Sequence, residues 1–395
     1  MINIMLFLAI VFFLTLIIGK LIEKIRIPWI FSALLVGLGL AVYNPFKEIT
    51  NSETFSFLAQ LGMYFLLFII GFELDLSQIK KQGKFIFSLT FMIILSETIL
   101  GSILIHYLFS ESWFVSVLVA TSFSTIGEAV LLPILDEFKL THTRLGQTIL
   151  GVGVLDDVVE VLTIIVASLV VGKVVGNANL QLGFNMFYLF LLLILTIILI
   201  KMHSEFQKFK FKDIPSLFIF LLFIMFLFIG IGMFVESAAL GAILAGIALK
   251  NIIPKNKLKL IDSEIKTMSY GFFAPLFFLS VGLDTDVSYL ILYPGMILII
   301  LLMTNFTKII MSYIMARKKL GSKKSIILGI SLTVKMSTSI VVIKFLYDNS
   351  IINSNLYSVL IGTTIMFKFI VPMLLSYLIT KWGISKVVKG TSKSV

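Results

Sequence analysis

About thirteen apolar runs, each close to the length a helix needs to cross a bilayer, follow one another along the chain, and this leaves few folds open. They lie at roughly 3–19, 28–43, 54–73, 85–109, 112–135, 145–171, 180–201, 214–234, 236–250, 266–283, 290–316, 325–347 and 354–380. In hydrocarbon the backbone must satisfy its own hydrogen bonds, so such runs predict helices. With 59% hydrophobic residues, 13% charged residues and a mean hydropathy of +1.08, too little polar surface remains for a soluble globule. The expected fold is an all-α polytopic membrane protein.

The connections test the span count independently. Lysine and arginine collect in alternate ones: Lys20, Lys24 and Arg26 in the first, Lys80, Lys81 and Lys84 in the third, Lys139 and Arg144 in the fifth. The pattern continues through Lys208 and Lys210, through Lys255 and Lys257, and through Arg317 to Lys324. The even-numbered connections hold only Lys47 and Lys173. By the positive-inside bias the N-terminus is expected outside and the C-terminus in the cytoplasm, in the cell membrane. The net charge of +11 therefore reports topology, and no nucleic-acid partner is expected. The N-terminal residues lack the cationic region of a cleaved signal peptide, so the first run is expected to be retained. The short stretch after the last run predicts no cytosolic regulatory domain.

An internal repeat overlies this pattern. Gly71-Phe72-Glu73-Leu74-Asp75 closes the third run and Gly282-Leu283-Asp284-Thr285-Asp286 closes the tenth, an offset of 211 residues. The same offset sets Glu97 against Lys308, Ser122–Thr125 against Thr333–Met336, and Asp156-Asp157 against Phe367-Lys368. A nearby offset pairs Ala33–Gly37 with Ala242–Gly246. The copies start an odd number of spans apart, so the second crosses in the opposite sense. Inverted-topology repeats are an architecture of secondary transporters, with the site near the midplane.

The residues that carry chemistry are few. Asp156 and Asp157 sit side by side in the middle of the sixth run, with Glu160 one turn beyond Asp156. Each ionised carboxylate at that depth costs roughly 3 kcal/mol or more, and neighbours repel each other. A polar seam between helices would use cheaper Ser, Thr or Asn, so the pair reads as an ion or proton site. The fifth run carries Ala120-Thr121-Ser122-Phe123-Ser124-Thr125-Ile126-Gly127-Glu128, and its repeat mate is Thr333-Val334-Lys335-Met336-Ser337-Thr338-Ser339. Flexible hydroxyl-rich tracts at equivalent midspan positions predict two crossed discontinuous helices, whose freed carbonyls can coordinate a cation; the alternative is plain Ser/Thr packing. Glu128 is either a further ligand or a partner of Lys335. Lys308, Lys335, Lys344 and Lys368 lie in or near spans, and Glu97, Glu128, Asp156, Asp157 and Glu160 are the acids available to pair with them. Lys308 lies deep and predicts an ion pair; Lys344, near an outer end, is expected to snorkel. With no cysteine and three scattered histidines (His106, His142, His203), no metal centre or cofactor is expected.

Together with Phe65–Leu74, Phe277–Leu283 and the Lys308 span, the Ala120-Thr121-Ser122 and Gly153-Val154-Leu155-Asp156-Asp157 motifs make the chain resemble the monovalent cation:proton antiporter superfamily, specifically its second cation:proton antiporter family. The likeness covers nearly all of the transmembrane chain. It implies a homodimer in which core helices slide, elevator-like, against a dimerisation domain. Residues 1–84 would be the first repeat's scaffold, 85–172 its core helices and 173–213 a linker helix. Residues 214–289 would be the second scaffold, and 290–395 the second core and a short cytoplasmic tail. The resemblance makes Asp157 the main carrier of Na+ and protons, Asp156 the partner of Lys308, and Thr121 and Ser122 contributors beside an unwound segment. It also links an Asp-Asp pair to electrogenic exchange.

The chain departs from the family pattern at Val334-Lys335-Met336-Ser337 and by adding Glu128 and Glu160, which leaves open whether Na+, Li+ or K+ is carried. The function expected is Na+(Li+)/H+ antiport, with protons and cation competing for one buried site. The alternatives are K+/H+ antiport and a cation channel, which needs a continuous polar pore. No nucleophile–base set or metal motif points to an enzyme.

Overall fold

A computed structural model of the chain describes residues 3–23, 29–73, 83–126, 131, 135, 138–140, 143–174, 181–202, 214–234, 238–253, 255–335 and 337–384. Within these helices a few side chains, that of Asp157 among them, lie outside the description.

All regular structure among the described residues is helical. The first half holds α1 (Ile4–Glu23), α2 (Phe31–Val42), the single turn α3 (Lys47–Thr50), α4 (Glu53–Glu73), α5 (Lys84–Phe109), α6 (Trp113–Ser124), α7 (Arg144–Val174) and α8 (Gln181–Lys201). The second holds α9 (Ile214–Met233), α10 (Ala238–Ile252), α11 (Lys255–Met268), α12 (Ala274–Leu283), α13 (Val287–Leu292), α14 (Pro294–Leu320), α15 (Ser322–Ser331), α16 (Ser337–Asp348) and α17 (Ser354–Lys381). Six of the described helices are long and apolar enough to cross a membrane by themselves: α1, α4, α5, α9, α14 and α17. The 31-residue α7 has the length as well, and carries the acidic run. The chain is a multi-pass membrane protein.

Helix limits follow the apolar runs to within a few residues, with informative exceptions. The run that starts near Lys266 begins earlier, as the charged helix α11, and passes through a π-helical turn at Ser269–Phe273 into α12. Pro275 supplies the cause: it has no N–H to give to the preceding turn, and the ladder widens there. Lys266 of α11 pairs with Glu73 at 2.7 Å, which ties this helix to the end of α4. The run at 112–135 is regular helix only to Ser124, and Thr125 is extended (ψ 159°). The run at 325–347 is divided between α15, which stops at Ser331, and α16, which starts at Ser337.

Two glycine crossings bear directly on the repeat. A Cβ on Gly71 would lie 2.1 Å from the Ile243 carbonyl oxygen, and one on Gly246 would lie 2.2 Å from that of Phe68. A Cβ on Gly282 would meet the Leu34 oxygen at 2.3 Å, and one on Gly37 the Leu279 oxygen at 2.3 Å. Helix α4 therefore packs backbone to backbone on α10, and α12 on α2. The sequence offsets map Gly71 onto Gly282 and Gly37 onto Gly246, so they turn one crossing into the other. Each repeat copy closes its crossing with a helix from the other copy.

Candidate ion site at the helix breaks

Where α6 and α15 stop, backbone carbonyls lose their helical donors and must find others. Two buried lysines supply them. Lys308, in the middle of α14 and 0% exposed, donates to the carbonyls of Ser124 and Leu332, both at 2.7 Å. Lys335, in the break between α15 and α16 and also 0% exposed, donates to the carbonyl of Phe123 and lies 3.5 Å from that of Thr125. Its ammonium also sits 4.5 Å over the Phe123 ring. The segment after α6 touches the first turn of α16 directly through the hydroxyls of Thr125 and Ser339, 2.7 Å apart.

One acid balances both lysines. Glu97 of α5 is 2% exposed; its Oε2 is 3.1 Å from Lys308 Nζ and its Oε1 is 3.3 Å from Lys335 Nζ. Lys308 thus makes the ion pair its depth predicts, with the residue at its own repeat-equivalent position, whereas the family resemblance points to Asp156. Glu97 stands among the available acids in the sequence but not among the expected site residues. The available signal was the repeat: equivalent residues of opposite charge on two inverted copies can meet near the axis that relates them.

Asp156 lies in α7 and is 0% exposed, and its Oδ2 accepts the N–H of Ile126 at 2.6 Å. It therefore pins the extended segment that follows α6. Asp157 is the next residue of the same helix, and its side chain is outside the described set. Glu160 is buried one turn beyond Asp156. Glu128 lies outside the described residues.

Thr121 and Ser122 are both in α6, and each gives its hydroxyl proton to the carbonyl one turn back, Val117 and Leu118, at 2.8 Å. Thr121 also lies 3.4 Å from the Thr98 hydroxyl. Their oxygens keep acceptor capacity, as hydroxyls have two lone pairs.

Two lysines behave differently from expectation. Lys344 does not snorkel: it is 6% exposed and pairs with Asp284 at 3.0 Å and with Asp348 one turn along α16. These three line a cavity of about 460 Å³ between α16 and the ends of α2, α4 and α12. Lys368, 2% exposed, meets no carboxylate among the described residues; its Nζ lies 2.8 Å from the centroid of the Phe31 ring. The described residues hold no cluster of His, Cys, Asp and Glu suited to a metal.

Comparisons with known proteins bear on the family and the fold. A Na(+)/H(+) antiporter of Enterococcus hirae is 26% identical over 380 residues, covering 91% of this chain and 94% of that protein. Probable Na(+)/H(+) antiporter 3 of Methanocaldococcus jannaschii is 26% identical over 373 residues, with 92% and 93% covered. Among solved structures, the sodium proton antiporter MjNhaP1 of Methanocaldococcus jannaschii at pH 8 superposes with a TM-score of 0.61 at 18% identity, over 94% of this chain and 98% of that one, and so shares the fold. The family model described as "Sodium/hydrogen exchanger, transmembrane" matches residues 9–381. The chain belongs to that sodium/hydrogen exchanger family, within the monovalent cation:proton antiporter superfamily.

Proposed function

We propose that the protein exchanges Na+ or Li+ for protons at the Asp156–Asp157 pair, with Asp157 as the carrier. The observation that carries this reading is the division of labour at the breaks. Lys308 and Lys335 occupy the carbonyls of Phe123, Ser124 and Leu332 and share Glu97. Asp156 is committed to the Ile126 N–H. The resemblance of the Gly153–Asp157 motif to the antiporter superfamily makes the adjacent Asp157 the acid that takes the mobile ion. The names of the relatives, both Na+/H+ antiporters, support the same substrates.

A dehydrated Na+ or a proton neutralises Asp157, and each excludes the other. An empty, charged site is costly to move through an apolar barrier, so the loaded states cross and exchange needs no ATP. The two repeat halves rock or slide about the site, α5–α7 and α14–α17 as the moving core and α1–α4 and α9–α12 as the scaffold. The Asp-Asp pair favours the second family and electrogenic exchange, with the membrane potential adding to the drive. The protein works as a homodimer in the cytoplasmic membrane, N-terminus outside.

The test is flux in liposomes holding a proton gradient. Added Na+ or Li+ dissipates it, and clamping an interior-positive or interior-negative potential changes the rate. K+ acting alone identifies the potassium exchanger instead. Current carried by cations with no opposing proton movement identifies a channel, and no response to any of the three cations rejects exchange.

A further inference from the structure

Helix α14 carries two buried hydroxyls that packing does not explain. Thr304 and Ser312 lie one turn before and one turn after Lys308, and residues four apart share a helix face. All three are 0% exposed. Neither hydroxyl makes a hydrogen bond among the described residues. The usual recourse for such a group is the carbonyl one turn back, which Thr307, Thr363 and Thr364 take at 2.7, 2.7 and 2.8 Å. Thr304 and Ser312 do not take it, and a buried hydroxyl left without a partner is destabilising where Val or Ala would not be.

The repeat supplies an internal control. The offset that sets Glu97 against Lys308 sets Ile93 against Thr304 and Gly101 against Ser312. Both are buried in α5. The equivalent positions therefore pack without a hydroxyl when the residue between them is a glutamate, and the hydroxyls accompany the lysine.

An ammonium has three N–H donors. That of Lys308 has three oxygens within 3.1 Å: the carbonyls of Ser124 and Leu332, and Glu97 Oε2. It is fully supplied here, but two of its acceptors belong to the helix breaks. A cation bound at the breaks competes for those carbonyls, and any shift of the breaks against α14 pulls them away. A lysine stem is long and flexible, and a hydroxyl stands about 6 Å along the axis in either direction.

We propose that Thr304 and Ser312 are positioning residues for exchange, standby acceptors that receive the Lys308 ammonium when it leaves the carbonyls of Ser124 and Leu332. Helical side chains lean toward the N-terminus of their helix, so Thr304 is the nearer and carries the larger share. The inference rests on the exchange function proposed above and adds the groups that keep Lys308 solvated through the cycle.

The test is Thr304→Val and Ser312→Ala, singly and together, in liposomes. The double variant is expected to melt at or above the wild-type temperature and to keep its KM for Na+ within about twofold, while its maximal rate falls about tenfold or more, mostly through Thr304→Val. Thr304→Ser, which keeps the hydroxyl, restores the rate. A double variant that exchanges at the wild-type rate overturns the proposal, as does a Thr304→Ser variant as slow as Thr304→Val. If wild-type protein exchanges nothing, the function proposed above fails. The hydroxyls are then judged without flux, by solid-state NMR of protein carrying 15N at lysine Nζ and 13C at threonine Cβ. A population of Lys308 within hydrogen-bonding reach of Thr304, absent in Thr304→Val, supports the proposal; a single population held at the break carbonyls overturns it.

Discussion

Glu97→Gln isolates the electrostatics of the breaks, because it keeps the shape of the side chain and removes only its charge. In the wild type Glu97 faces two ammonium groups at 3.1 and 3.3 Å, all three residues being 2% exposed or less. With an effective dielectric constant of about 20, each contact is worth about 5 kcal/mol before desolvation is subtracted. Removing one member of a buried ion pair costs about 3–5 kcal/mol, because the partner charge remains. Here two charges remain, so the upper end is expected. At roughly 1–2 °C per kcal/mol for a chain of this size, the apparent melting temperature in detergent falls by about 5–10 °C. The double variant Glu97→Gln/Lys335→Met removes one of the stranded charges and recovers part of that loss, although the Phe123 carbonyl then lacks its donor. Thermal denaturation followed by size-exclusion recovery reads both variants. If Glu97→Gln melts within about a degree of wild type, or the double variant loses the sum of its parts, Glu97 is not the shared counter-ion.

Lys344→Met leaves Asp284 and Asp348 facing each other without their common partner. Because they are 40% and 32% exposed, water moderates the loss to about 1–2 kcal/mol, read as a smaller melting shift that shrinks further in high salt. Gly71→Ala and Gly282→Ala each drive a methyl group into a carbonyl at 2.1 and 2.3 Å, and both should fail to give monodisperse protein. Gly39→Ala, with nothing within 4 Å, behaves as wild type and controls for helix propensity.

Much of the fold is legible from periodicity and length. The spans follow from apolar runs because the bilayer fixes how long such a run must be. The α4–α10 and α2–α12 crossings are foreshadowed by Gly37, Gly71, Gly246 and Gly282, since only glycine tolerates such close backbone approach. The partner of Lys308 was harder: a list of buried acids does not say which one lies opposite when the helices carrying them are far apart in the chain. The partners of Lys344 were partly visible, as Asp348 is one turn away and both fall on one helix face. Charge at the end of a span resembles a snorkelling residue until the neighbouring helix end, here Asp284, is placed beside it. Helix α11 is not legible from hydropathy, because its amphipathic sequence precedes the apolar run and a hydropathy window marks only the part that enters hydrocarbon.

The central claim is that Asp157, the carboxylate that follows Asp156 in α7, is the exchange site, and Asp157→Asn in proteoliposomes tests it most directly. The change keeps the size of the residue and leaves the Lys308–Glu97–Lys335 cluster intact, so the protein should fold and melt close to wild type. Na+-driven dissipation of the proton gradient should disappear in this variant while wild-type liposomes prepared in parallel retain it. Wild-type exchange persisting in folded Asp157→Asn protein would contradict the account.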